Sequence, residues 1–201
     1  TIEALGITDY YSTECYETVC DYRDLGRLEN IGLIFPNVEL RYGVGTSKGT
    51  PVNLHILVSP EDPKHLEKLN RFLAKLTFKP RDDTYRCTPE DLRRLGRDFT
   101  GKQLDDRSAF SEGANQFKVE VDAFIEAWQD TPWIKKNALI AIPGSNQDGS
   151  AGLQKDASLA ALRQKIERIA HIIFASQPNQ REFWAGRSGK LTEGQFLKDY
   201  G

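Results

Sequence analysis

The chain has no methionine and only three cysteines, and both features narrow the classes of protein to which it can belong. Cys15, Cys20 and Cys87 form no Cys-x-x-Cys pair, so the sequence predicts reduced thiols rather than a disulfide framework or a zinc knuckle. No apolar run reaches the roughly 18 residues that a membrane-spanning helix needs, and no signal peptide opens the chain. These features predict a cytoplasmic protein with no membrane partner.

The net charge is also small, because 27 basic and 29 acidic residues nearly cancel and leave a sum of −2. The chain therefore has no overall basic field that would attract nucleic acid. The richest basic stretch, residues 79–107, is interleaved with acidic residues and favours a solvated face. A local stripe that binds nucleic acid is the alternative reading of that stretch.

The first residues, 1–6, have the pattern of a helix end that runs into a strand. Together with the missing methionine, this start predicts that the chain is an excerpt of a longer protein. A processed or tagged chain is the alternative.

Strand and helix signals alternate along the 201 residues, which are enough for one domain with a full core. Apolar runs predict strands at residues 6–8, 38–42 and 52–58, and Thr88 followed by a proline and two acids predicts a capped helix start. A similar signal at Ser59 predicts another helix. The β-then-α order predicts an α/β fold with a parallel sheet or a barrel.

Three polar residues follow or interrupt these strands, where α/β folds place their chemistry. Asp9 follows the first strand, and its carboxylate could bind a metal or ligand, although capping of the next helix is the reading that spacing favours. Glu39 alternates with apolar neighbours and is either a metal-neutralised inner carboxylate or a surface residue. His55 interrupts an apolar run, and a neutral imidazole is a good ligand for zinc, manganese or iron. The alternative for His55 is a core histidine bonded to backbone.

The loop at residues 143–150 joins a strand to a helix and could offer backbone amides to phosphate. Its glycine spacing meets the phosphate-loop pattern, but Ser150 stands where the lysine should be, which excludes an ATP-binding loop. Ser145 and Asn146, with Arg41 from the second strand region, are the predicted phosphate-binding residues. A plain turn is the alternative.

Several segments resemble the PHP family (polymerase and histidinol phosphatase). Residues 5–10, LGITDY, resemble its glycine-hydrophobic-Thr-Asp-His segment, residues 37–39, NVE, its glutamate-bearing strand, and residues 53–57, NLHIL, its next histidine-bearing strand. Four further segments resemble the PHP-type domain of large ATPase-fused bacterial proteins linked to phage defence: 116–119 (QFKV), 139–145 (LIAIPGS), 148–153 (DGSAGL) and 181–186 (REFWAG).

The resemblance implies a distorted (β/α)7 TIM-like barrel over residues 1–201, incomplete in this excerpt. It implies a phosphoesterase or nuclease whose manganese, zinc or iron is held by Glu39 and His55, with Asp9 as a catalytic residue that orients water or a ligand. It also implies a phosphodiester substrate, in nucleic acid or a phosphorylated small molecule, and ATP bound only by another domain of a homo-oligomeric parent protein.

The chain departs from the family at two ligand positions, which Tyr10 and Ile142 occupy here. The family's opening His-x-His and closing Asp-x-His motifs are not in the chain. A degenerate, non-catalytic module for sensing or assembly is therefore the rival hypothesis.

Overall fold

The structure is a computed structural model that describes residues 2–46, 49–145, 147–153, 157–175, 177–187 and 199–200. Its strands are β1 (Ala4–Tyr10), β2 (Leu33–Gly45), β3 (Pro51–Val58), β4 (Thr77–Phe78), β5 (Tyr85–Arg86), β6 (Ala138–Pro143), β7 (Ile172–Phe174) and β8 (Asp199–Tyr200). Its helices are α1 (Glu14–Asp24), α2 (His65–Leu73), α3 (Pro89–Thr100), α4 (Asp106–Gln116), α5 (Val121–Gln129), α6 (Pro132–Asn137), α7 (Ala160–Ile169) and α8 (Pro178–Trp184). None of the helices within these residues is long and apolar enough to cross a bilayer.

The described strands form one open sheet in the order β1-β2-β3-β6-β7-β8 and a separate β4-β5 ribbon. Strand β1 runs parallel to β2, and β6, β7 and β8 are parallel neighbours. Strands β2 and β3 are joined by residues 46–50 alone, and the Thr46 amide donates to the Thr50 carbonyl at 2.7 Å. So short a connection makes an antiparallel hairpin, because a parallel crossover needs a dozen residues or more.

The prediction of a (β/α)7 barrel is therefore wrong, whereas the α/β class is correct. A barrel of that type needs a helix between successive parallel strands, and the β2–β3 hairpin has no room for one. The described sheet is mixed and open, with β1 and β8 at the two ends of its order. The short Gly-rich segment after Tyr42 was the sequence signal for this hairpin.

The chain divides into two compact units. Unit 1 contains residues 1–40 and 56–138, and unit 2 contains residues 41–55 and 139–201. The core of unit 1 includes stacked and edge-on aromatic rings, with Phe72 6.0 Å from both Phe124 and Trp128 between ring centroids. Such pairs add to the free energy that apolar burial supplies.

Helices α3 and α4 of unit 1 cross so closely that two positions require glycine. A Cβ atom at Gly96 would overlap the carbonyl oxygen of Ala109, and one at Gly113 would overlap that of Leu92. Thr88 begins α3 as predicted, because its hydroxyl accepts from the Asp91 amide at 3.3 Å. This crossing fixes the C-terminal turn of α3 on the surface of unit 1.

Candidate functional site

Asp9 lies at the end of β1, and its carboxylate is engaged by the next helix. The Cys15 amide donates to Asp9 Oδ2 at 2.7 Å, so Asp9 satisfies one of the free N–H groups at the start of α1. This contact is the capping role that the spacing favoured. Tyr10, which stands where the PHP pattern has a histidine, is 38% exposed. The catalytic assignment of Asp9 stays a prediction.

Glu39 lies in the part of β2 that belongs to unit 1, opposite Tyr10 in the parallel register. Glu39 is only 8% exposed, so its side chain lies in a largely buried environment. Its backbone carbonyl accepts from the amide of Tyr11 at 3.2 Å. The structure thus places Glu39 inward rather than on the surface, which was the alternative that alternation left open.

His55 lies in the part of β3 that belongs to unit 2, and its imidazole is partly buried. The ring packs edge-on against Phe174 of β7, with 5.3 Å between the ring centroids. Burial lowers the pKa of His55 from its usual 6.5 to about 4, and the negative charge of Asp148 opposes part of that shift. The imidazole is therefore neutral at pH 7, which is the form that binds metals.

Asp148 is held beside β3 by the backbone of the loop after β6. The Asn53 amide donates to the Asp148 carbonyl at 2.8 Å, which ties this loop to the start of β3. The Ser145 hydroxyl donates to Asp148 Oδ1 and orients the carboxylate. Gly149 makes the turn possible, because a Cβ atom there would overlap the carbonyl oxygen of Pro143.

The three predicted phosphate-binding residues differ in where they lie relative to the structure. Ser145 accepts from the amides of Gln147 and Asp148 at 3.0 and 3.1 Å, so its hydroxyl closes the loop on itself. Arg41 is half-buried in β2 of unit 2, and Asn146 lies outside the described residues. Phosphate binding by these three residues stays a prediction.

Within unit 2, the Asn53–Asp148 backbone bond places Asp148 near enough to β3 for its charge to act on the His55 imidazole, while Glu39 and Asp9 belong to unit 1. Among the described residues, no group of three or more histidine, cysteine, aspartate or glutamate side chains is arranged to hold one metal ion. A site on His55 and Asp148 would therefore supply two protein ligands from the described residues and leave the remaining coordination positions to water.

Comparison with known proteins adds no relative. No protein-family model matches the chain, and no curated protein is significantly similar to it in sequence.

Asp148 is the residue that the sequence analysis missed. It belongs to residues 148–153, which resemble the PHP-type domain, but the pattern predicts no role for it. The available signal was its position, since an acid five residues after a buried strand lies at a strand end, where α/β folds place polar groups. What the sequence did not show is the hairpin that places His55 within reach of its charge.

Proposed function

We propose that this chain is a metal-dependent phosphoester hydrolase domain, with a divalent cation bound by His55 and Asp148. The observation that carries the proposal is the partly buried His55 imidazole, which packs edge-on against Phe174 and lies on β3, the strand to which Asp148 is tied by the Asn53 amide. A neutral imidazole nitrogen and a carboxylate oxygen together suit manganese, zinc or iron.

Each residue of the proposed site has a distinct task. His55 offers a ring nitrogen whose lone pair is not taken by a proton at neutral pH. Asp148 contributes negative charge, and the Ser145 hydroxyl fixes one of its oxygens. Phe174 packs against the imidazole and limits its rotation. When bound, the metal would activate water and offset charge on a phosphoryl oxygen.

Membership in the PHP family is part of the proposal and depends on the short segments around Asp9, Glu39 and His55. Glu39 is a metal ligand only by that resemblance. The phosphodiester substrate, the ATPase-fused parent and the role in phage defence have the same support. Because the described sheet is open, a relationship to the PHP family would be limited to these segments and would not include a complete barrel.

A second candidate is a non-catalytic sensing or assembly module that kept the segments and lost the chemistry. Two observations favour it. The carboxylate of Asp9 caps α1, and the hydroxyl of Ser145 accepts two amides of its own loop. Both groups thus have structural tasks that need no substrate.

Metal content and hydrolysis of bis-p-nitrophenyl phosphate, measured on the same preparations of the 201-residue chain, separate the two candidates. The variants are His55→Ala, Asp148→Asn and Glu39→Ala, and His65→Gln is the matched control. The proposal predicts that His55→Ala and Asp148→Asn lower metal occupancy and activity together, by about tenfold or more. Loss in Glu39→Ala as well would support the metal-ligand role that the PHP resemblance gives to Glu39.

His65 is a suitable control because its ring is engaged elsewhere, with Nε2 3.2 Å from the Tyr16 hydroxyl and Nδ1 2.8 Å from the Asp62 carbonyl. Its variant should retain wild-type metal content and rate. Equal metal content and activity in the wild type and His55→Ala would refute the hydrolase proposal and favour the non-catalytic module.

A further inference from the structure

A cleft of about 430 Å³ opens on the surface of unit 1, beside the C-terminal half of α3 and the β4–β5 ribbon. Its volume is in the range of sites that hold small organic molecules. Its lining combines three aromatic rings with charges of both signs, and none of these residues belongs to the proposed metal site.

The aromatic part of the lining consists of Phe78, Tyr85 and Phe99. Phe99 is 62% exposed, which is unusual for a phenylalanine on a helix with an otherwise well-buried apolar face. Phe78 is held by Phe117, at 5.6 Å between ring centroids. Tyr85 is nearly buried, and the Arg94 guanidinium lies 4.1 Å from the centroid of its ring. Phe99 is therefore the ring with free area for a ligand.

The charged part of the lining has two carboxylates and one guanidinium. Asp98 accepts from the Tyr85 hydroxyl at 3.0 Å and lies 3.9 Å from Arg94. Asp83 and Arg81 are exposed, and neither has a hydrogen bond or ion pair with another residue in the described part of the chain. The cleft thus presents the carboxylate of Asp83, which has no ion pair among the described residues, and the ion-paired carboxylate of Asp98 beside the exposed ring of Phe99, with the cation of Arg81 in the same lining.

We propose that this cleft binds a small zwitterion with a cationic side chain, of the kind that free arginine represents. The guanidinium or ammonium group would lie against Phe99 and between the carboxylates of Asp83 and Asp98, where cation–π attraction and charge act together. The ligand's carboxylate would pair with Arg81. The aliphatic body would cover the rest of the exposed Phe99 ring.

Three ligands test the cation contact and the carboxylate contact separately. Each is titrated into the 201-residue chain, and binding is measured by calorimetry and by the NMR shifts of the Phe99 ring. L-Arginine carries both charges, agmatine lacks the carboxylate, and L-citrulline replaces the guanidinium with a neutral group of the same shape. The proposal predicts the tightest binding for L-arginine and at least about tenfold weaker binding for L-citrulline. Agmatine should fall between them.

Variants assign each contact. Asp83→Asn and Phe99→Ala alter exposed side chains and should leave folding intact, and each should weaken L-arginine binding about fivefold. Arg81→Gln should weaken L-arginine but leave agmatine unchanged. Asp130→Asn, an exposed aspartate outside the lining, is the control and should bind like the wild type.

Absence of saturable L-arginine binding up to about 10 mM would overturn the proposal, as would equal affinities for L-arginine and L-citrulline. Unchanged binding in both Asp83→Asn and Phe99→Ala would show that the ligand binds elsewhere and would overturn it equally. Equal losses for agmatine and L-arginine in Arg81→Gln would refute the carboxylate contact.

Discussion

Asp62 in unit 1 and His55 in unit 2 both have a lowered pKa, but for opposite reasons. Asp62 accepts from Lys68 Nζ at 2.6 Å, the Lys64 amide at 2.9 Å and Trp133 Nε1 at 2.8 Å. These donors stabilise the carboxylate and lower its pKa to about 2. The pKa of His55 is lowered to about 4 because burial penalises the charged form of its imidazole.

The two causes indicate two kinds of task. Asp62 is charged at neutral pH and its oxygens are taken by donors that hold the start of α2 and the indole of Trp133, so its role is structural. His55 is uncharged at the same pH and can act as a nitrogen ligand. A lowered pKa by itself therefore does not mark a functional site, whereas its physical cause helps to do so.

The largest effect that this comparison predicts is the acid sensitivity caused by His55. Its folded-state pKa of about 4 lies below the usual 6.5, so the unfolded chain binds the extra proton first. The contribution of the neutral His55 to the free energy of unfolding is therefore fully present above pH 6.5. As the pH falls towards 4, the free energy of unfolding decreases by about 3 kcal/mol from this residue. In His55→Phe, this pH-dependent decrease in the free energy of unfolding should be absent, and urea unfolding at several pH values measures it.

His65 and His171 are present in both the wild type and His55→Phe, so neither affects the difference between the two proteins. An unchanged slope in His55→Phe would mean that the imidazole is not desolvated, and the contrast with Asp62 would fail.

A smaller effect is expected from Asp62, and in a separate pH range. Its pKa is lowered from 3.8 to about 2, so its contribution is present above pH 3.8 and lost as the pH falls through about 2. Asp62→Asn should therefore unfold at lower temperature at pH 6 and should have a shallower acid transition below pH 4. Circular dichroism melting at pH 6 and pH 3 measures both, and a variant as stable as the wild type at pH 6 would contradict the structural role.

Local signals in the sequence predicted local structure well. The Thr88-Pro89 start of α3 and the apolar run of β3 both lie where the pattern predicted them. The Ser59 signal was less accurate, because α2 begins at His65 after turns in which Asp62 accepts the Lys64 amide. A proline at position 63 creates a second possible start that propensity alone does not rank against the first.

The topology and the site depend on long-range contacts, and these were harder to predict. The alternation of strands and helices suggested a parallel barrel, but the length of the connection at residues 46–50 decides against it. His55 was identified as a candidate ligand because it interrupts an apolar run. Its neighbour Asp148 is 93 positions away in the chain and could be placed beside it only by the hairpin and the loop after β6.

The smallest predicted effect sharpens the description of that pair. The charge of Asp148 raises the pKa of His55 against the larger effect of burial. Asp148→Asn should therefore lower the pKa of His55 further, by less than about one unit. An NMR titration of the imidazole C–H signals measures the shift, with Asp130→Asn as the control. A rise in the His55 pKa would show that Asp148 is not the neighbouring charge.

The most direct test of the metal site uses the three histidines of the chain as reporters. Mn²⁺ broadens NMR signals close to it, and Mg²⁺ serves as the diamagnetic control. Substoichiometric Mn²⁺ should broaden the imidazole signals of His55 first and leave those of His65 sharp, and Asp148→Asn should abolish the selectivity. Equal broadening of the three imidazoles, or a sharp His55 signal at saturating Mn²⁺, would contradict metal binding at His55.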